Sequence, residues 1–262
     1  MTNPSKMRFS SMFSLIIVMG IGFGCHSKSE VEKESWMGKP LGQWPDFALT
    51  NEIGFTDTTY RDLANAFLVD TGADTIGATC KHIFMVFQKH RGLSSIDPGA
   101  DFRYWKMYPR DHPNRVAAMK KLINRDSSEP IGQFNTLKNR DWIIFDIEEN
   151  ADALYPLKIR YTPVQKGEVV YAVGWGDLQK NKDHPVRMRF QCQQERGNYF
   201  YARLLTTGFK PDGRSGSPVI DRNGYLVGLT SGAEGKLTVI GSTLYLKKLF
   251  DRYGVDYNMP GR

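Results

Sequence analysis

A serine hydroxyl is a poor nucleophile, and one segment of this chain is suited to activating one: Gly213-Arg214-Ser215-Gly216-Ser217-Pro218. A serine that attacks a carbonyl needs an adjacent base and donors for the oxyanion that forms. Glycines on both sides let the backbone turn tightly and let a substrate approach closely. The amides of Gly213 and Ser215 can then converge on one oxygen. Alone, the segment also fits a Gly/Ser-rich hairpin loop without chemistry, so the reading depends on finding a base.

The chain has five histidines: His26, His82, His90, His112 and His184. All precede Ser215, which eliminates the nucleophile-acid-histidine order of α/β-hydrolases. The orders His…Asp…Ser and Asp…His…Ser both stay open. His82 is the best placed. It follows the apolar run Ala66–Asp70 and the small residues of Thr79-Cys80-Lys81. His26 lies in a polar stretch near the N-terminus, His112 and His184 each precede a proline, and His90 sits between Lys89 and Arg91. For the orienting acid, Asp141 stands directly before the apolar run Trp142-Ile143-Ile144-Phe145. A carboxylate at a core edge can fix the histidine tautomer and stabilise its imidazolium. Its rival, Asp146, runs into Glu148 and Glu149 and reads as a solvated strand end.

The elements that must position these groups are mostly short runs of β-branched and aromatic residues bounded by Gly, Asp and Asn. They are Ala66–Asp70, His82–Gln88, Trp142–Ile147, Glu168–Trp175, Tyr199–Thr206, Ser217–Ile220, Tyr225–Leu229 and Leu237–Ile240. Many short strands with turn signals between them predict an all-β sandwich or barrel. The best hairpin joins Pro218–Ile220 to Tyr225–Leu229 through Asp221-Arg222-Asn223-Gly224. Two segments read as helices: Asn114–Asn124, and Ser242–Tyr253, which has an N-cap at its start and Gly254 as its stop.

Lys6 and Arg8 precede an apolar run, Met12–Phe23, that ends at Gly24-Cys25. About 12 residues are too few to span a bilayer, and the arrangement is that of an export signal over 1–24. Gly24-Cys25 resembles a bacterial lipobox, with Cys25 as the lipidated residue and membrane anchor; Gly22 stands where leucine is usual. The expected location is the cell envelope, with soluble secretion the alternative. Residues 25–55 read as tether and lead-in, 56–150 as a first strand-rich half and 151–262 as a second. Cys80 and Cys192 remain, as one disulfide or as two buried thiols. Of 262 residues, 40% are hydrophobic and 24% charged, an ordinary globular composition. Losing Lys6 and Arg8 takes the net charge from +7 to +5. The basic residues are scattered, which argues against nucleic-acid binding.

The segments around these three residues are similar to the signature blocks of the trypsin/chymotrypsin-like serine protease family. Thr79–His82 resembles its Thr-Ala-Ala-His, Asp141–Phe145 its Asp-led apolar block, and Gly213–Pro218 its Gly-Asp-Ser-Gly-Gly-Pro. The last is closer to the Gly-Asn-Ser-Gly-Ser-Pro form of bacterial members such as glutamyl endopeptidases. Gly167–Gly174 resembles the strand opening the second barrel, and Gly228–Gly232 the strand lining the primary specificity pocket. The similarity runs from Ala64 to Tyr253. It implies two six-stranded antiparallel β-barrels, a C-terminal helix and a partly helical insertion. It further implies a His82/Asp141/Ser215 triad, an oxyanion hole from the Gly213 and Ser215 amides, a protein or peptide substrate, and no cofactor or metal. The alternative is a protease-like lipoprotein without activity that binds a partner in the cleft.

The chain also departs from the family. Arg214 stands where an Asp or Asn is usual, so activation by a newly freed N-terminus is not expected, and the oxyanion loop could be misplaced. Ile83 replaces a disulfide-bonded Cys of many animal members. Ser94–Lys138 reads as an insertion decorating the surface. The specificity pocket falls on Phe209, Thr230, Ser231 and Gly232. Phe209 is not the acid that would select Lys or Arg, and Thr230 is not the histidine of glutamyl endopeptidases. A small or apolar residue is expected before the scissile bond.

Overall fold

The computed structural model describes residue 1 and residues 32–150, 154–177, 184–208 and 212–259. The chain divides into two units, Met1–Val31 and Glu32–Arg262, and all the described strands and helices belong to the second. The signal, Cys25 and Phe209 lie outside the described residues.

The first half contributes β1 (Leu49–Phe55), β2 (Thr59–Asp70), β3 (Thr75–Thr79), α1 (Phe84–Arg91), β4 (Ser95–Ile96), β5 (Phe102–Tyr108), β6 (Ala117–Leu122), β7 (Asp126–Pro130), α2 (Phe134–Leu137), β8 (Ile143–Asn150) and β9 (Leu157–Lys158). Strands pair in the order β1-β5-β6-β8-β3-β2, and β2 returns to β1, closing a six-stranded antiparallel barrel. Its core centres on Phe67, Trp105 and Phe145, with the Trp105 and Phe145 rings 4.8 Å apart. The second half contributes β10 (Val169–Gly174), β11 (Val186–Glu195), β12 (Tyr199–Leu204), β13 (Pro218–Ile220), β14 (Leu226–Glu234), β15 (Leu237–Ser242) and α3 (Thr243–Tyr253). Its six strands close in the order β10-β11-β12-β15-β14-β13. Val170, Met188, Phe190, Phe200, Val219 and Ile240 fill the interior.

Where local sequence was decisive, the expected elements form. The β13–β14 turn is organised by Asp221 Oδ1, which accepts from the Asn223 and Tyr225 amides, while Gly224 takes φ +94°. Ser242 Oγ caps α3 by accepting from Leu244 N, and Gly254 stops it at φ +65°.

Three expectations are corrected. His82–Gln88 is a 3-10 turn followed by α1, because Ile83, Phe84 and Phe87 bury one helical face and Gly92 closes the last turn at φ +71°. Asn114–Asn124 is not helical: β6 hydrogen-bonds to both β5 and β8. Register shifts on either side of Met119 let Ala117 and Leu122, five residues apart, both face inward. A bulge of this kind breaks the two-residue period and imitates a helical one. Ser94–Lys138 accordingly supplies β5 and β6 of the barrel wall, not a surface decoration. The described part of 25–55 packs on the barrels. It holds β1 and a packed Trp36–Trp44–Phe47 cluster, and Glu34 receives the Tyr155 hydroxyl at 2.7 Å and Lys158 Nζ at 2.8 Å.

Candidate active site

β3 delivers Thr79-Cys80 to the 3-10 turn that carries His82, and Asp141, two residues before β8, is fully buried. Asp141 Oδ1 accepts from the His82 amide at 2.7 Å, and Oδ2 lies 2.7 Å from His82 Nδ1. A carboxylate facing Nδ1 accepts its N–H, so in the neutral imidazole Nε2 is the nitrogen left with the lone pair. The Ser231 hydroxyl from β14 donates to the same Oδ2. Ser231, read from sequence as a pocket residue, therefore also orients the acid. Burial pulls the His82 pKa down; the Asp141 charge and hydrogen bond, with a contribution from Cys80, outweigh it and hold the imidazole well above its ordinary value. Phe134 of α2 stands edge-on to the imidazole at 5.8 Å between ring centres. Its ring also lies against Gly232, where a Cβ would meet it at 2.3 Å. Sequence reasoning missed Phe134 because it fell in the presumed insertion.

The second barrel presents Ser215 on the loop before β13. This loop is docked onto the first barrel: the Asn65 amide of β2 donates to Ser215 O at 2.7 Å. Gly216 adopts φ +76°, and a Cβ there would come within 2.1 Å of Asn65 O and 2.8 Å of Thr79 Oγ1. The serine loop thus abuts the end of β3, three residues before His82.

The four carbonyls of this loop are all engaged. Asp212 O accepts from the Asp177 amide at 3.1 Å, and Gly213 O from Asn65 Nδ2 at 3.2 Å. Arg214 O accepts from the Ser217 amide at 2.9 Å and from the Thr230 hydroxyl, and Ser215 O from Asn65. Among the described residues, the Gly213 and Ser215 amides donate to no group. Because a trans peptide points its N–H opposite its C=O, fixing the Asp212 and Arg214 carbonyls also fixes where these two N–H groups aim. Both residues line a cleft of about 470 Å³ together with Thr230, Ser231, Gly232 and Thr238. Two oriented, uncommitted donors beside a serine are what an oxyanion requires.

Arg214 is buried, its Nη1 donating to Gly174 O at 2.9 Å and Val186 O at 3.2 Å, and burial pushes its pKa down to about 10. Cys80 and Cys192 are both buried free thiols. Elsewhere, Asp46, Asp111 and His112 bring possible metal-binding atoms within 4.8 Å of one another. Arg115 pairs with Asp46 and His184 with Asp111, so protein groups already engage both carboxylates.

Residues 64–229 match the family model described as the trypsin-like peptidase domain. No curated protein matches the chain by sequence. Among solved structures, the active form of the Rv3671c protease from M. tuberculosis aligns with a TM-score of 0.51 at 12% identity, covering 97% of each chain. Its inactive form aligns with the same score and identity over 86% of this chain and 98% of that one. A Glu endopeptidase in complex with MPD aligns with a TM-score of 0.54 at 14% identity, over 81% of this chain and 92% of that one.

Proposed function

Since the chain belongs to the trypsin-like peptidase domain family, we propose that it is a serine endopeptidase with Ser215 as nucleophile, His82 as general base and acid, and Asp141 as the orienting carboxylate. The observation that carries this reading is the two-point grip of Asp141 on His82, which leaves Nε2 basic. Ser215 Oγ attacks the peptide carbonyl as Nε2 takes its proton, and the Asp141 charge stabilises the imidazolium. The developing oxyanion is received by the Gly213 and Ser215 amides. The proton then passes to the leaving amine, and water repeats the sequence to release the acyl group.

No basic side chain other than Arg214 lines the described part of the cleft, and its Nη1 is engaged by carbonyls. Asp177 and Asp212 line the same cleft and disfavour an acidic residue before the scissile bond; a small or apolar one is the proposed preference. The leader ending in Gly24-Cys25 supports a place in the cell envelope, held by lipid on Cys25, with soluble secretion the alternative. Incubating the mature protein with a peptide library tests the activity. Cleavage abolished by Ser215→Ala supports the reading; intact peptides throughout would favour a partner-binding module in its place.

A further inference from the structure

Asn65 lies outside every segment that points to chemistry, yet its side chain is completely buried at the junction of the two barrels. Its Nδ2 donates to Trp175 O at 3.0 Å, to Gly213 O at 3.2 Å and to Ser215 O at 3.4 Å, while Oδ1 accepts from the Trp175 amide at 2.9 Å. One first-barrel side chain thereby ties the end of β10 to the loop carrying the candidate nucleophile. Arg214 reaches the same place from the other side. Its Nη1 donates to Gly174 O, the carbonyl of the very peptide whose N–H Asn65 receives.

A second, independent feature points to the same residue. Asp62 and Ala64, just before Asn65, take φ of +54° and +59°. These are the only non-glycine positive φ values among the described residues, and each costs about 1 kcal/mol or more in an L-residue. The strain is held by buried polar groups of β1: Asn51 Nδ2 donates to Leu63 O at 2.9 Å and Thr50 Oγ1 to Ala64 O at 2.9 Å. A strand that departs from regular pairing, with two buried side chains to satisfy the carbonyls it exposes, is arranged to aim the next residue. That residue is Asn65.

We propose that Asn65 is a positioning residue for the oxyanion hole. Acting on the Gly213 and Ser215 carbonyls while anchored on Gly174–Trp175, it fixes the loop whose amides receive the oxyanion, and Arg214 grips the opposite face of the same anchor. The loop is thus held in its working geometry by groups internal to the two barrels. The inference rests on the serine endopeptidase reading.

The test compares wild-type mature protein with Asn65→Ala and Asn65→Ser, each normalised by active-site titration. It measures kcat and KM on a short peptide substrate, the rate of fluorophosphonate labelling, and Tm. Oxyanion contacts strengthen in the transition state, so displacing them lowers kcat and spares KM. Asn65→Ala is expected to lose about 10- to 100-fold in kcat and in labelling rate with KM within about twofold. Asn65→Ser, which keeps one donor, should recover part of the loss. A role confined to stability would lower Tm and the titrated fraction and leave the rate per titrated site unchanged; that result, or rates within about threefold of wild type, overturns the proposal. If Asn65→Ala does not fold, Asn65→Ser carries the test, with at least about fivefold loss expected. An unlabelled wild type overturns the endopeptidase reading and this inference together, whereas equal labelling of wild type and variant overturns this inference alone.

Discussion

Replacing Asp141 with Asn changes one atom's chemistry and leaves the shape of the site intact. In the native site Oδ1 accepts from the His82 amide and Oδ2 faces His82 Nδ1. An asparagine can serve only one of these as an acceptor. With its oxygen toward the His82 amide, its NH₂ faces Nδ1, which must then be unprotonated, and the proton moves to Nε2, where it blocks base catalysis. The flipped orientation sets NH₂ against the buried His82 amide, donor against donor, at a cost of about 1–3 kcal/mol. The unproductive tautomer therefore dominates by about 10- to 100-fold. Losing the charged partner of the imidazolium removes about 3 kcal/mol more in the transition state. Together, about 4–6 kcal/mol corresponds to a fall of about 10³- to 10⁴-fold in kcat/KM at 1.4 kcal/mol per decade. The assay is steady-state cleavage of the best library peptide near neutral pH, with Tm measured in parallel. A folded Asp141→Asn enzyme within about tenfold of wild type would refute the tautomer argument.

Three further outcomes are expected. Since Asp141 raises the His82 pKa and only the neutral imidazole accepts the serine proton, activity should be lost as pH falls through that raised value, so the acid limb of kcat/KM should centre above 6.5; a limb below 6.5 contradicts it. Gly216→Ala sets a Cβ about 2 Å from Asn65 O in a left-handed conformation, so it should cost at least about 2 kcal/mol by chemical denaturation and abolish labelling; a neutral variant would show that the loop is not clamped against β2. Cys80 and Cys192 are buried and free, and burial pushes the Cys192 thiol up to about 11; iodoacetamide should modify neither in native protein and both after unfolding, whereas modification of neither in unfolded protein would reveal a disulfide.

The candidate site was legible in sequence wherever the proposed chemistry demands particular residues close together along the chain. Gly213–Pro218 must turn with glycines and offer amides, and Asp141 must stand at the edge of an apolar strand, so local composition pointed to both. The two-barrel architecture followed from the resemblance of those segments and from short alternating runs. What stayed hidden depends on contacts distant in sequence. β6 reads as a helix until its pairing with β5 and β8 reveals a bulge, and α1 reads as a strand because its aromatic residues carry no cap signal until Gly92. Asn65 has no motif at all. Its importance arises from partners at Trp175, Gly213 and Ser215, more than a hundred residues away. Ser231 was placed in the cleft, but its bond to Asp141 bridges 90 residues and has no local signature.

Every functional role assigned to this chain depends on Ser215 being an activated nucleophile with His82 as its base. The deciding experiment treats the mature protein with a fluorophosphonate probe and maps the modified peptide, beside a folded His82→Ala control. An adduct on Ser215 that disappears in the variant is the expected result. A folded wild-type protein that takes no adduct, or an adduct that persists without His82, would contradict it.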